Sequence, residues 1–335
     1  MWLIRTDTFK LKYVIKPSST SYAILSHTWT SDEITFQQIT DLETARNLPG
    51  FAKIEKTCEL ARNHGLEYAW VDTCCIDKTS SVELLEAINS MYEWYQNAKI
   101  CFVYLPDLAY DEDNPEAEAL HDRLRDCRWW YRGWTLQELV APESVSFFDS
   151  SWHQIGDKAT NLLEIISSIT DIDSDVLENV TNPSSVPIGI RMRWAAKRKT
   201  TRPEDIAYCL LGIFGINMPL LYGEGDKAFK RLQEEISKQS NDMSLFAWVA
   251  RPDTEPSARH RSRGIFALHP SEFVSLPDLW KSSSFRRGLL ASVLSTTDLQ
   301  LGGESTDRVC RPSGIFPTGT RLPSPPTNEP WKRLY

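Results

Sequence analysis

The stretch that decides the fold is YAILSHTW at residues 22–29, an apolar run that turns polar at Ser26 and His27. Such a run is typical of a strand buried on both faces of a parallel sheet. Two later stretches follow the same pattern, YAWVD at 68–72 and ICFVYL at 100–105, and helix-like sequence follows each of them. The alternation of strand and helix predicts an α/β fold with a doubly wound parallel sheet.

Polar residues follow these strands at the point where each strand ends. In doubly wound sheets, ligands bind beyond the carboxyl ends of the strands, where the strand order reverses. Ser26 and His27 end the first strand, and Asp72 ends the second. We therefore expect the functional site at this edge of the sheet.

Composition and charge narrow the class of protein. The chain has 335 residues, of which 41% are hydrophobic and 24% charged, as in ordinary folded proteins. A net charge of -8 argues against nucleic acid or an anionic membrane as the main partner. Seven cysteines without a CxxC pair indicate reduced thiols, and the first residues lack a secretory signal. A cytoplasmic location is expected.

The alternation of strand and helix stops beyond Asp171, which suggests how the chain is divided. We predict an α/β core over 1–170 and a helical appendage over 171–250. The uncharged run 206–223 contains Asn217 and Pro219, so we interpret it as a buried helix running into a loop and not as a membrane span. Residues 251–335 are predicted to be irregular and partly disordered. Three weaker strand signals lie at 245–249, 264–268 and 288–294.

Several standard catalytic signatures are absent from the sequence. It has no GxxxxGK[ST], GxSxG or HExxH motif, which argues against ATP hydrolysis, esterase and zinc protease chemistry. The carboxylates between Asp111 and Glu118 are interpreted as a solvated loop, and no metal site is expected. A cysteine hydrolase using Cys74 or Cys75 with His27 is an alternative, but these cysteines are also typical of small buried residues that close a strand.

Glu138 is a further candidate. It lies on a short predicted helix that follows three tryptophans and precedes the fourth strand, and its neighbours Leu136 and Leu139 are apolar. Apolar surroundings raise the pKa of a carboxyl group, and a perturbed pKa is typical of functional sites. Periodicity alone favours a second interpretation, in which Glu138 is an exposed residue of a surface helix.

Five separated motifs carry a resemblance to a known family. They are YAILSHTW, YAWVDTCCIDK, INSMYEWYQNA, RGWTLQELVAP and TRPEDIAYCLLGIFGINMPLLYGEG. In this order they resemble the fungal heterokaryon incompatibility (HET) domain, in the branch found in vegetative incompatibility proteins, over about residues 20–240; we take the domain to be 1–250. The resemblance implies a role in fungal self/non-self recognition, with growth arrest and programmed cell death on activation.

The HET domain is in turn similar to the Toll/interleukin-1 receptor (TIR) domain, a flavodoxin-like fold with strand order 2-1-3-4-5. Many TIR domains cleave NAD+ with a glutamate that has tryptophan four residues ahead and leucine just after. Trp134, Glu138 and Leu139 have this spacing. The resemblance therefore implies an NADase (NAD+ glycohydrolase) with Glu138 as the catalytic residue, NAD+ as substrate and no cofactor.

The same resemblance implies the remaining site residues and partners. Substrate-binding positions are expected at Ser26, His27, Trp29, Asp72, Cys74, Asp77, Arg132 and Trp134. Arg132 could bind a phosphate or form a structural ion pair. A homo-oligomer is expected on activation, with a contact at residues 72–80, and a nucleotide-binding oligomerisation-domain protein could act in trans. The alternative function is a non-catalytic, self-associating signalling module.

Overall fold

A seven-stranded sheet forms the centre of the computed structural model, which describes residues 1–109, 117–250 and 264–276. These residues belong to one compact unit that spans residues 1–290. The strand order is β2-β1-β4-β3-β5-β6-β7. The strands are β1 (Trp2–Arg5), β2 (Leu11–Tyr13), β3 (Tyr22–His27), β4 (Tyr68–Trp70), β5 (Ile100–Tyr104), β6 (Val145–Phe148) and β7 (Gln154–Asp157).

The four inner strands, β4, β3, β5 and β6, pair in parallel, so the predicted α/β class is confirmed. Numbered along the chain, these four have the order 2-1-3-4, and the order reverses at β3. The sheet is mostly parallel, since only the outer strands β1, β2 and β7 pair antiparallel among the described residues. The flavodoxin-like, TIR-like assignment is not confirmed, because antiparallel β7 occupies the position of a fifth parallel strand.

Helices cover both faces of the sheet. They are α1 (Phe36–Ile39), α2 (Leu42–Ala45), α3 (Phe51–Asn63), α4 (Asp72–Cys75), α5 (Ser81–Asn97), α6 (Ala117–Asp126), α7 (Thr135–Val140), α8 (Leu163–Thr170), α9 (Ser174–Leu177), α10 (Ile188–Trp194), α11 (Asp205–Tyr208), α12 (Leu211–Phe214) and α13 (Lys227–Gln239). Helix α5 begins after Ser80, whose side chain accepts a hydrogen bond from the Glu83 amide.

Every residue of β3 is buried, which explains its apolar sequence. Helix α3 packs against β3 and β4, and α7 packs against β3 and α5. Successive residues of a strand point to opposite faces. His27 contacts Lys53 on α3, whereas Ser26 contacts Glu138 on α7, so these two helices lie on opposite faces of β3.

The region beyond Asp171 is largely helical and shares the core of the sheet. At Gly212 of α12 an added Cβ would lie 2.0 Å from the Cβ of Tyr92 on α5, so the two helices are in close contact there. The uncharged run 206–223 contains α11 and α12 and then continues as a loop. In the parts of the chain that the structure covers, no helix is both long and apolar enough to cross a membrane.

Two of the weaker strand predictions are wrong. Residues 243–246 form a 3-10 helix, because the side chain of Asp242 caps the Ser244 amide at 2.9 Å. No strand forms at 264–268, where the amide and carbonyl of Ala267 bond to the Gln233 side chain instead. The prediction at 288–294 falls outside the described residues, as does most of the acidic stretch after Asp111.

Part of the segment predicted to be irregular belongs to the core. Ala267 and Phe273 are 1% and 0% exposed, and the 3-10 helix Pro270–Phe273 packs against α10. Residues 264–276 therefore continue the packed unit beyond position 250. Residues 251–263 and 277–335 lie outside the described part of the chain.

Candidate functional site

The core of the candidate site is a buried carboxyl group on α7. Every residue of this six-residue helix is buried, and Glu138 is 7% exposed, so the interpretation of Glu138 as a surface residue is wrong. Ser26 at the end of β3 donates its hydroxyl proton to Glu138 Oε2. The Trp129 indole donates to the same hydroxyl oxygen at 2.8 Å. The Ser26 oxygen thus accepts a hydrogen bond from Trp129, while the Ser26 hydroxyl donates its own hydrogen bond to Glu138.

The surroundings of Glu138 disfavour its charged form. Burial raises the pKa of this carboxyl to about 8, and the negative charge of Asp72 acts in the same direction. The hydrogen bond from Ser26 and the positive charge of Arg132 act against the rise in pKa. Glu138 is therefore largely protonated at neutral pH, and a cation bound beside it would favour the carboxylate.

The carboxyl end of α7 is held by a buried lysine. Lys158 is 1% exposed, and its ammonium donates to the Pro142 carbonyl at 2.7 Å and to the Leu139 carbonyl at 3.4 Å. Burial lowers the pKa of Lys158 to about 8. A cation at this position satisfies carbonyl groups at the end of the helix and interacts favourably with its dipole.

A second polar cluster surrounds His27. Its Nε2 lies 3.0 Å from Asp72 Oδ1, and its Nδ1 lies 3.2 Å from the ammonium of Lys53. Because an ammonium group is only a donor, Lys53 donates to Nδ1, and Nε2 carries the ring proton that it donates to Asp72. Lys53 also pairs with Glu33.

Asp72 joins this cluster to the protein surface. The Trp29 indole donates to Asp72 Oδ2 at 2.7 Å, and the Trp29 side chain is 45% exposed beneath the ammonium of Lys78, which lies 3.7 Å from the ring centroid. Burial acts to raise the pKa of Asp72, but the hydrogen bond with His27 and the charges around it lower that pKa overall. Asp72 is therefore a carboxylate at neutral pH.

The residues predicted at the sheet edge thus form two groups. Ser26 and Glu138 lie on one face of β3, and His27, Asp72 and Trp29 interact on the other. The two groups remain electrostatically connected, because the charge of Asp72 acts on Glu138.

Two other predicted positions have local partners. Cys74 is fully buried, its thiol donates to the Val71 carbonyl at 3.8 Å, and burial raises its pKa. Both ring nitrogens of His27 are engaged elsewhere, so the structure does not support the cysteine hydrolase alternative. Asp77 accepts from the Thr79 amide at 2.9 Å and from the Gln37 side chain at 2.7 Å, which closes a turn.

Arg132 and Trp134 precede α7. Within the described ranges, the half-buried guanidinium of Arg132 forms no hydrogen bond or ion pair, while its charge acts on Glu138. The structural ion pair that the sequence left open is therefore not formed with these residues. Trp134 is the N-cap residue of α7, and its indole interacts with the Asp205 carboxyl, on the side of the helical region.

Four residues of this arrangement had no signal in the sequence. Trp129 is one of three clustered tryptophans, and no sequence pattern indicates which of the three bonds to Ser26, 103 positions away. The others are basic residues whose partners are remote in sequence and whose side chains would ordinarily be expected in solvent. They are Lys53, Lys158 and Arg198, of which Arg198 donates to the hydroxyl of Thr135 at the start of α7.

Two family models match parts of this chain. Residues 22–121, which carry β3, Ser26, His27 and Asp72, match the family model for heterokaryon incompatibility protein (HET). Residues 227–291 match a model described as a domain of unknown function, DUF8212. This chain is an α/β protein whose residues 22–121 match the HET domain.

One characterised relative is the vegetative incompatibility protein HET-E-1 of Podospora anserina, which is 44% identical over 221 residues. The match covers 65% of this chain and 16% of the relative, so the chain spans about a sixth of the length of that protein. No solved structure matches this chain.

Proposed function

We propose that this protein acts in fungal heterokaryon incompatibility as an effector of programmed cell death, and that it cleaves NAD+ at the bond between nicotinamide and ribose. The similarity to a vegetative incompatibility protein supports the biological role. The chemistry rests on the resemblance of the Trp134, Glu138 and Leu139 spacing to the TIR motif, and on the geometry around Glu138.

One observation carries the enzymatic proposal. Glu138 is a buried carboxyl at the carboxyl edge of β3, where the strand order reverses, and it has a pKa near 8 and the charge of Arg132 beside it. A titratable group with a strongly perturbed pKa at such an edge is a candidate for catalysis.

The reaction suits a single carboxylate. The bond between ribose C1′ and the nicotinamide nitrogen breaks with its electron pair on nicotinamide, so the cationic ring leaves as a neutral molecule and needs no general acid. The ribose becomes an oxocarbenium-like cation, which a nearby carboxylate stabilises. Water then adds to C1′ and releases a proton, which gives ADP-ribose. Glu138 is the carboxylate in this scheme, and the substrate's own positive charge favours its ionised form.

The surrounding residues supply binding groups in this proposal. The guanidinium of Arg132 is available for a phosphate of the substrate. The half-exposed ring of Trp29 offers a surface on which a planar base could stack, once Lys78 moves away. Asp72 fixes that ring through its indole nitrogen.

The test compares Glu138→Gln with Glu143→Gln, since Glu143 is an exposed glutamate just after α7. We expect Glu138→Gln to abolish both NAD+ loss and toxicity in fungal cells, because an amide cannot carry the negative charge. Glu143→Gln should leave both intact. NAD+ cleavage by folded Glu138→Gln at the wild-type rate would refute the assignment.

A second function is favoured by the same burial. A carboxyl that is 7% exposed and bonded to Ser26 also suits a purely structural role inside a self-associating signalling module. In that case Glu138→Gln would retain toxicity while NAD+ stays intact. This outcome would replace the enzymatic proposal with the signalling one.

Assembly and partners belong to the same proposal. We propose that the active form is a cytoplasmic homo-oligomer with a contact at residues 72–80, and that a nucleotide-binding oligomerisation-domain protein could recruit it in trans. A dilute monomer should be nearly inactive. Full turnover by a protein that light scattering finds monomeric would refute the requirement for assembly.

A further inference from the structure

Arg198 is a buried cation that bonds to the start of α7. It is 3% exposed, and its Nη1 donates to the Thr135 hydroxyl at 2.8 Å and to the Arg132 carbonyl at 2.9 Å. Thr135 is the first residue of α7, one helical turn ahead of Glu138. A single guanidinium nitrogen therefore contacts both the helix that carries Glu138 and the backbone that carries Arg132.

The residues next to Arg198 reinforce this contact. The Lys199 amide donates to the Tyr131 carbonyl at 2.6 Å, and the Gly133 amide donates to the Lys199 carbonyl at 2.8 Å, which forms a parallel bridge. An added Cβ at Gly133 would lie 2.5 Å from Cγ2 of Thr200. The segment 198–200 thus determines where the backbone enters α7.

Arg198 is also electrostatically connected to Glu138. Burial lowers the pKa of its guanidinium to about 10, whereas the charge of Glu138 acts to raise it. Within the described ranges its hydrogen bonds go to a hydroxyl and a carbonyl, and to no carboxylate. A buried positive charge without a bonded anion favours the ionised form of a nearby carboxyl.

We propose that Arg198 is a positioning residue for Glu138. It holds the first turn of α7 and the Arg132 backbone in one arrangement, so that the Glu138 carboxyl and the Arg132 guanidinium serve the same site. Arg198 does not touch the substrate in this proposal. The catalytic consequence rests on the proposed function, whereas the effect on the Glu138 carboxyl does not.

The experiment uses Arg198→Met with Arg191→Met as its matched control. Arg191 is also buried in the helical region and donates to two backbone carbonyls, those of Val186 and Ile213, neither of which belongs to α7. For each folded full-length variant we measure kcat and KM for NAD+. Arg198→Met should lower kcat about 10-fold or more with little change in KM, because a displaced carboxylate loses stabilisation of the transition state. Arg191→Met should leave kcat within about 2-fold of wild type.

A second measurement needs no substrate. The infrared band of the protonated Glu138 carboxyl, assigned by subtracting the spectrum of Glu138→Gln, is followed against pH. Loss of the Arg198 charge should raise its midpoint by about 0.5 pH or more, since removing a nearby cation disfavours the carboxylate. Arg191→Met should leave the midpoint unchanged. An unchanged midpoint and an unchanged kcat in Arg198→Met would overturn the inference.

If Arg198→Met does not fold, Thr135→Val decides the question. Valine keeps the shape of threonine and removes the hydroxyl that Arg198 contacts. A fall in kcat, or a displaced Glu138 carboxyl band, supports positioning through Thr135; wild-type values of both overturn it. If wild-type protein does not cleave NAD+, the proposed function fails, and the infrared comparison alone decides the role of Arg198.

Discussion

The ionisation of Glu138 controls the proposed chemistry, because only its carboxylate form stabilises a cation. Its pKa near 8 in the folded protein leaves about a tenth of the molecules ionised at pH 7. We therefore expect kcat/KM to rise with pH, with a midpoint at about 8. A pH–rate profile checks this. A profile that is flat between about pH 6 and pH 9 would contradict the assignment.

The same ionisation predicts how stability depends on pH. The pKa of Glu138 is raised from its ordinary value of 4.5 to about 8 in the folded protein, so the folded state binds the proton more tightly than the unfolded state. Its contribution to stability is full below about pH 4.5 and is lost as pH rises through 8, by up to about 1.4 kcal/mol per pH unit. As pH rises between these two values, denaturant titrations should therefore show wild type losing stability relative to Glu138→Gln. Parallel curves would contradict the raised pKa.

The contribution of Asp72 to stability depends on pH in the opposite direction. The pKa of Asp72 is lowered in the folded protein from its ordinary value of 3.8. Its carboxylate therefore stabilises the fold at pH values above 3.8, and this contribution is lost as pH falls through the lowered pKa. Asp72→Asn should cost about 1–2 kcal/mol at pH 7, because a charged acceptor is lost while an amide oxygen remains for Trp29 or His27. Urea unfolding measures the change, which should shrink in acid. We expect a larger loss of activity than of stability; outright unfolding would make Asp72 a residue of the fold.

Among the elements near the site, α7 has little stability of its own. A helix of six residues does not persist alone, so its orientation depends on its ends. Lys158 holds the carboxyl end, and Arg198 holds the amino end through Thr135. Because the neighbouring elements supply both contacts, the direction of the Glu138 carboxyl depends on β7 and its following residue as well as on the helical region.

The entry to α7 supplies a prediction at this scale. A Cβ at Gly133 would lie 2.5 Å from Thr200 Cγ2 and 3.0 Å from Cys209 Sγ, so Gly133→Ala should destabilise by about 1–3 kcal/mol. Adding Thr200→Ser removes the nearer methyl group and should restore part of the loss. A double-mutant cycle by thermal melting measures the coupling. If the effects of Gly133→Ala and Thr200→Ser on stability simply add, the backbone must shift so that the methyl group added at position 133 is not in contact with the Thr200 methyl group.

For the whole molecule, the sheet and the helical region share one core. The contact of α12 with α5 and the burial of Ala267 and Phe273 predict that a chain ending after Ser151 is insoluble. A chain ending after Ala250 should fold but melt at a lower temperature than one ending after Leu276, because it loses those two buried residues. Calorimetry compares them. A cooperatively melting fragment 1–151 would mean that the sheet completes its own core.

The sequence by itself determined the inner strands of the sheet and the polar residues at their carboxyl ends. An apolar run that ends in polar residues is typical of a parallel strand buried on both faces of the sheet. This pattern located Ser26, His27 and Asp72. Glu138 was singled out by local motif spacing and apolar neighbours. Only the tertiary structure decided that consecutive residues Ser26 and His27 serve different faces, that β7 runs antiparallel, and that Trp129, Lys158 and Arg198 surround α7. These contacts join positions remote in the chain, and their geometry depends on packing, which no local pattern encodes.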